Sequence, residues 1–124
     1  MSKVGDIMTS ENDLFILEPD DPVRKALDAI RDRHIHAVLV NPKEGEATWK
    51  IFGRNELAAF MASGSPDTSP ISSHASNVMW SASADWSVKE CWNAMYRHRV
   101  ESLPVMKKSR LIGIITTTDL EKHL

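Results

Sequence analysis

Apolar residues recur at helical spacing twice along the 124-residue chain. Val23, Ala26, Leu27 and Ile30 fall at i, i+3, i+4 and i+7, and Val88, Cys91, Trp92 and Met95 repeat the pattern. Each stripe predicts an amphipathic helix with one buried face. Asp21 is the expected N-cap of the first helix, with Pro22 at its first helical position, and Ser87 or Asp85 stands near the start of the second. A basic cluster and a short apolar run follow each helix, "RDRHIHAVLV" and "YRHRVESLPV". Their β-branched residues and short length predict strands.

The stretches "NPKEGEA" and "KKS" come next and predict hairpin loops. Beyond them, "KIFGRNEL" and "GIITTTDL" each predict a strand running into a helix, with Asn55 and Thr118 as cap candidates. The two halves align. Ile35 matches Val100, Val38 matches Leu103, Val40 matches Val105, and Glu56-Leu57 falls on Asp119-Leu120. Upstream, "VGDIMTSENDLFILEPDDPV" corresponds to "ISSHASNVMWSASADWSV" if the first copy carries two extra residues. The chain therefore reads as an internal duplication, each copy ordered strand, helix, strand, strand, helix. The expected boundaries are 1–64 for the first repeat, 65–74 for a Gly-, Ser- and Pro-containing linker with the start of the second, and 75–124 for the second repeat. A copy this small buries too little surface to stand alone, so the two are expected to pack face to face.

The pattern resembles a tandem pair of cystathionine β-synthase (CBS) domains, a Bateman module. The likeness rests on "VGDIMT", "DDPVRKALDAI", "DWSVKECWNAM", "RVESLPV" and "GIITTTDL", which together span nearly the whole chain. It implies an α+β fold of two βαββα repeats packed through their sheets with pseudo-two-fold symmetry, and a homodimer of such modules. It also implies a regulatory role: an adenine-containing ligand (AMP, ADP, ATP or S-adenosylmethionine) bound between the repeats, its occupancy altering an effector protein whose identity the sequence does not give. No catalytic residue and no required cofactor are expected.

The acid-and-hydroxyl tip "TTTDL" suits that role on its own chemistry. An ionised Asp has two acceptor oxygens and can receive both hydroxyls of a ribose cis-diol. Threonine hydroxyls can donate to sugar or phosphate oxygens, and the first N–H groups of a helix attract an anion. The plainer alternative is that Thr118 caps the last helix and Asp119 is a solvated acid of its first turn. The resemblance implies that Thr116, Thr118 and Asp119 meet ribose and phosphate. It places Ile35, His36, Ala37 and residues near Thr9 on the opposite wall, the apolar pair against a purine face. His36 is either a ligand contact or a strand residue without a task. At the matching positions the first copy has Gly53, Asn55 and Glu56, so one competent site per chain is expected. Asp119→Ala is then expected to abolish stabilisation by ligand while leaving the ligand-free melting temperature nearly unchanged.

One departure bears on the ligand. Where relatives that hold a phosphate chain often have a basic pair, this chain has Glu101-Ser102, and a carboxylate there repels a polyphosphate. Arg97, His98 and Arg99 just upstream read most simply as a solvated helix end. Adenosine-like, monophosphate or sulfonium ligands are favoured over ATP.

Composition removes other classes. A net charge of −2 gives no general attraction to nucleic acid or anionic lipid. No apolar run reaches membrane length, so a cytoplasmic protein is expected. The single cysteine, Cys91, lies on a helical stripe and is expected to be buried rather than reactive. His34 and His36 share a strand face but lack the surrounding ligands of a metal centre, so no metal site is expected. Trp80, Trp86 and Trp92, with Met8, Met79 and Met95, are expected to serve packing. A module that only dimerises, with no nucleotide bound, is the alternative function. A small enzyme would need a nucleophile with its base, or a metal set, and none is seen.

Overall fold

The computed structural model describes residues 2–10, 13–46 and 48–124. In chain order the elements are α1 (Val4–Ile7), β1 (Thr9–Ser10), β2 (Ile16–Leu17), α2 (Val23–Arg33), β3 (Val38–Val40), β4 (Lys50–Phe52) and α3 (Arg54–Ser63). They continue as β5 (Ser76–Asn77), β6 (Ala82–Ser83), α4 (Val88–His98), β7 (Ser102–Lys107), β8 (Arg110–Thr116) and α5 (Thr117–Glu121). The fold is α+β with a four-stranded sheet in each of two compact units. The expected order of strand, helix, strand, strand, helix is present as β6-α4-β7-β8-α5 in unit 1, which adds α1 and β1, and as β2-α2-β3-β4-α3 in unit 2, which adds β5.

The units are cut differently from the sequence repeats. Unit 1 joins the residues up to Leu14 with Trp80–Leu124, and unit 2 is the continuous stretch Phe15–Met79. The sheet of unit 1 runs β1-β8-β7-β6, and that of unit 2 runs β5-β4-β3-β2. The edge strand beside β8 therefore comes from the first copy, and the edge strand beside β4 from the second. Their registers match. Thr9 pairs with Ile114 and Ser10 with Gly113, while Ser76 pairs with Ile51 and Asn77 with Lys50. Even the anchoring bonds repeat: Val4 and Gly5 donate to the carbonyls of Trp86 and Ala84, Ile71 and Ser72 to those of Asp21 and Pro19. Thr9, expected on the wall opposite the "TTTDL" tip, is thus built into the same sheet as that tip.

Glycine makes this pairing possible in unit 1. A Cβ on Gly113 would sit 2.5 Å from both the Met8 sulfur and the Thr9 carbonyl oxygen. No side chain fits there. Lys50, the matching residue of unit 2, keeps its side chain and donates from Nζ to the Ser72 carbonyl at 3.1 Å.

Helix starts differ from expectation. Pro22 is the N-cap of α2 and Val23 its first helical residue. Proline has no side-chain acceptor, so the N–H groups of Val23 and Arg24 find the carbonyls of Ser69 and Asp67 at 2.9 and 2.8 Å. Asp21, expected to cap, instead accepts from the Glu18 N–H at 2.8 Å and Lys25 Nζ at 3.0 Å. The Glu18 N–H, and then Lys25, hold its carboxyl below the ordinary value, so this contribution is present above the unfolded pKa and lost on acidification through the folded one. Residues 65–71 are consequently no free linker: Arg24 pairs with Asp67 at 3.0 Å and Ile71 is fully buried. In α4 the expected Ser87 does cap, its Oγ accepting from the Glu90 N–H at 3.1 Å.

The predicted stripes form the cores. Cys91, Met95, Leu103, Val105, Ile115 and Leu120 pack with Val4 in unit 1, and Val23, Ala26, Val38, Val40, Phe52 and Phe60 with Ile71 in unit 2. Trp86, Trp92 and Met8 lie against the first of these cores. Met79 does not serve packing as expected: it follows β5 outside any element and is 72% exposed. Trp80 is half exposed and stacks on His98, ring centroids 3.7 Å apart, so that histidine is not simply solvated. Among the described residues no helix is long and apolar enough to cross a membrane.

Both expected hairpins are present, though Ala47 of the first lies outside the described residues. The second turns through Lys108 and Ser109, at φ +51° and +64°, between the paired Lys107 and Arg110. That is a conformation which asparagine and glycine adopt with less strain. Lys108→Asn with Ser109→Gly is expected to stabilise the protein by about 1 kcal/mol in urea denaturation. Gly113→Ala should cost about 1–3 kcal/mol by overpacking, measured in the same way, as β1 is pushed from its register.

Candidate functional site

The "TTTDL" tip lies where β8 passes into α5. The helix begins two residues earlier than expected, so Thr116, not Thr118, is its N-cap. The Thr116 hydroxyl accepts from the Asp119 N–H at 3.2 Å and donates to Asp119 Oδ2 at 3.0 Å. The same oxygen takes the Thr116 N–H at 3.0 Å. This is a capping box with an aspartate in the reaching position. Thr116 is 95% buried by its 5% exposure, whereas Thr118 and Asp119 are half-buried.

Asp119 is therefore no solvated acid. Its Oδ2 is committed to the strand–helix junction. Its Oδ1 accepts no hydrogen bond among the described residues, and remains an acceptor for an incoming hydroxyl. The expected appeal of the helix start to phosphate is smaller than foreseen. The Thr117 N–H goes to the Glu101 carbonyl at 2.9 Å and the Asp119 N–H to Thr116, in a helix of only five residues. Glu101, half-buried, thus sits beside the junction through its backbone, and Ser102 pairs with Thr116 across the sheet.

Unit 2 carries the matching junction at β4 and α3. Gly53, not Asn55, is the N-cap, and Glu56 Oε1 accepts the Gly53 N–H at 2.8 Å. Glu56 Oε2 accepts from the Ser76 hydroxyl at 2.8 Å. Both oxygens of this carboxylate are in use, and Asn55 is exposed. Sequence reasoning named Glu56 but missed Ser76. The available signal was the alignment of Ser76 with Thr9, which puts a hydroxyl on each edge strand.

Thr9, Thr116, Thr118 and Asp119 all belong to unit 1, with Thr9 paired to Ile114 on the strand that ends in Thr116. Ile35, His36 and Ala37 belong to unit 2, between α2 and β3. Ile35 packs partly against the unit 2 core, Ala37 is buried, and His36 is exposed. His34 ends α2 in the left-handed region, φ +56°, as Arg99 does for α4 at +55°. Among the described residues no group of three or more His, Cys, Asp or Glu side chains could hold a metal ion. Burial pushes the Cys91 thiol up to about 11, which keeps it protonated and inert at neutral pH. A separate hollow of about 430 Å³ is lined by Ser2, Ser87, Val88, Lys89, His123 and Leu124, and holds none of the candidate residues.

Two copies of one family model, described as the CBS domain, match residues 4–61 and 75–124. The chain belongs to the CBS-domain family. Uncharacterized protein YlbB of Bacillus subtilis (strain 168) is 30% identical to this CBS pair over 121 residues, covering 97% of the chain and 80% of that protein. Hypoxic response protein 1 of Mycobacterium tuberculosis (strain ATCC 25618 / H37Rv) is 27% identical over 96 residues, covering 77% of the CBS pair and 67% of its relative. Among solved structures, CBSX2 in complex with AMP aligns with a TM-score of 0.77 at 17% identity, covering 99% of this chain and 96% of that one. The last comparison bears on the CBS-pair fold alone.

The capping box changes what an Asp119 substitution does. Asp119→Ala is expected to destabilise the ligand-free protein by about 1 kcal/mol, rather than leave it unchanged. Thr116→Ala should cost a similar amount, and the two losses should add incompletely because they break one cap. Urea denaturation of the two single variants and the double variant measures both points.

Proposed function

We propose that this CBS pair is a non-enzymatic regulatory module that binds an adenine-containing ligand of the AMP, ADP, ATP or S-adenosylmethionine class. Asp119 takes the ribose diol, and Thr116 and Thr118 lie beside the sugar and phosphate. The observation that carries this reading is the unequal use of two matched carboxylates. Glu56 has both oxygens occupied from within unit 2, whereas Asp119 keeps Oδ1 open among the described residues. A carboxylate with one anchored oxygen is pre-oriented, so less side-chain entropy is lost on binding. The fold likeness to CBSX2, solved with AMP, supports the same ligand class.

Thr9 joins this set from the neighbouring strand, while Ile35, His36 and Ala37 are the proposed contacts for the base. Glu101 beside the junction favours a ligand with one phosphate or none over a triphosphate. Binding energy that differs between two arrangements of the module would pass to an effector protein or a second copy of the chain. A purely structural dimerisation module is the other reading, and the commitment of Thr116 and Asp119 Oδ2 to capping is what favours it.

Thermal denaturation with AMP, ATP and S-adenosylmethionine separates the two. Ligand at about one hundred times its dissociation constant adds about 2.7 kcal/mol to stability, a shift of several degrees. Asp119→Asn keeps an oxygen for the cap but loses the charge, and is expected to remove most of the AMP shift with a small change in the ligand-free melting temperature. The absence of a shift with all three compounds would leave the structural reading.

A further inference from the structure

Ser76 lies on β5, the edge strand beside β4, and its hydroxyl donates to Glu56 Oε2 at 2.8 Å. The other Glu56 oxygen is held by the Gly53 N–H at 2.8 Å. In unit 1 the matching pair is Thr9 on β1 and Asp119 at the start of α5, in the same strand register. There the acid is one methylene shorter. Among the described residues the Thr9 hydroxyl makes no hydrogen bond and Asp119 Oδ1 accepts none. The same two positions are closed in one unit and open in the other.

We propose that the Ser76 hydroxyl is a built-in occupant of the first repeat's carboxylate, standing where a sugar hydroxyl would donate. The extra methylene of Glu56 lets the carboxylate span from the helix start to the edge strand. Once both its oxygens are filled, a diol arriving at Glu56 has no acceptor to bridge and must displace an intramolecular partner. Ser76 with Glu56 thereby sets the stoichiometry at one nucleoside ligand per chain. This inference rests on the reading of Asp119 as the diol-binding group, although the Ser76–Glu56 bond itself can be tested without any ligand.

Two measurements on the full chain decide it. Urea denaturation of Ser76→Ala, Glu56→Ala and the double variant gives the coupling between the side chains, expected at about fivefold in the unfolding equilibrium constant. Calorimetric titration with AMP is expected to give one equivalent for the unsubstituted protein, and none for Asp119→Asn. Ser76→Ala combined with Glu56→Asp should take two equivalents. Additive losses in the denaturation cycle would overturn the proposal. So would two equivalents bound by the unsubstituted protein, or a single equivalent still bound by the Ser76→Ala/Glu56→Asp protein. Should the unsubstituted protein bind none of AMP, ATP and S-adenosylmethionine, the diol reading of Asp119 falls, while the coupling still decides whether Ser76 occupies Glu56.

Discussion

A buried strand cannot turn into a helix without leaving a backbone N–H in need of an acceptor, and both units meet that need with a carboxylate three residues on. Asp119 reaches back to Thr116, and Glu56 reaches back to Gly53. This constraint fixes where α3 and α5 begin, and orients one acid at the tip of each sheet. Whatever else these acids do is done with the oxygen left over. The side chain proposed to meet a ligand is also the one that holds the junction, so its oxygens are not all free for binding.

Much of this was legible in the sequence because the duplication doubles every signal. The stripe Val23, Ala26, Ile30 and its counterpart Cys91, Met95 named both helices, and the aligned runs around Val38 and Leu103 named the central strands. The cores contain those residues, apart from Ile30, which packs against the unit 2 core while only partly buried. Less legible were the helix starts. A hydroxyl next to an acid looks like a cap whichever of three threonines supplies it, and only the backbone path selects Thr116. The packing of 65–71 was hidden for a related reason: its carbonyls, not its side chains, cap α2, and composition says nothing about carbonyls. The placement of Thr9 was missed because the compact units do not follow the repeat boundaries.

The duplicated frame also shows how equivalent positions drift apart. Gly113 and Lys50 occupy one register position, yet one allows close approach by having no side chain while the other sends a long one to a carbonyl. Thr9 and Ser76 both present hydroxyls from an edge strand, and among the described residues only Ser76 has an acid to donate to. Such differences leave the hydrogen-bonded skeleton of the CBS repeat intact. They alter what is exposed at its tips, which is where two copies of one fold can take up unequal tasks.

The exchange of edge strands has a consequence for the nascent chain. Phe15–Met79 is continuous, so everything unit 2 requires has been synthesised before the strands β6, β7 and β8 of unit 1. Thr9 and Ser10, by contrast, must wait for β8, which emerges only after the whole of unit 2. Until then these two residues are a strand without a sheet, and their docking, a closure between distant parts of the polypeptide, belongs among the later steps of folding.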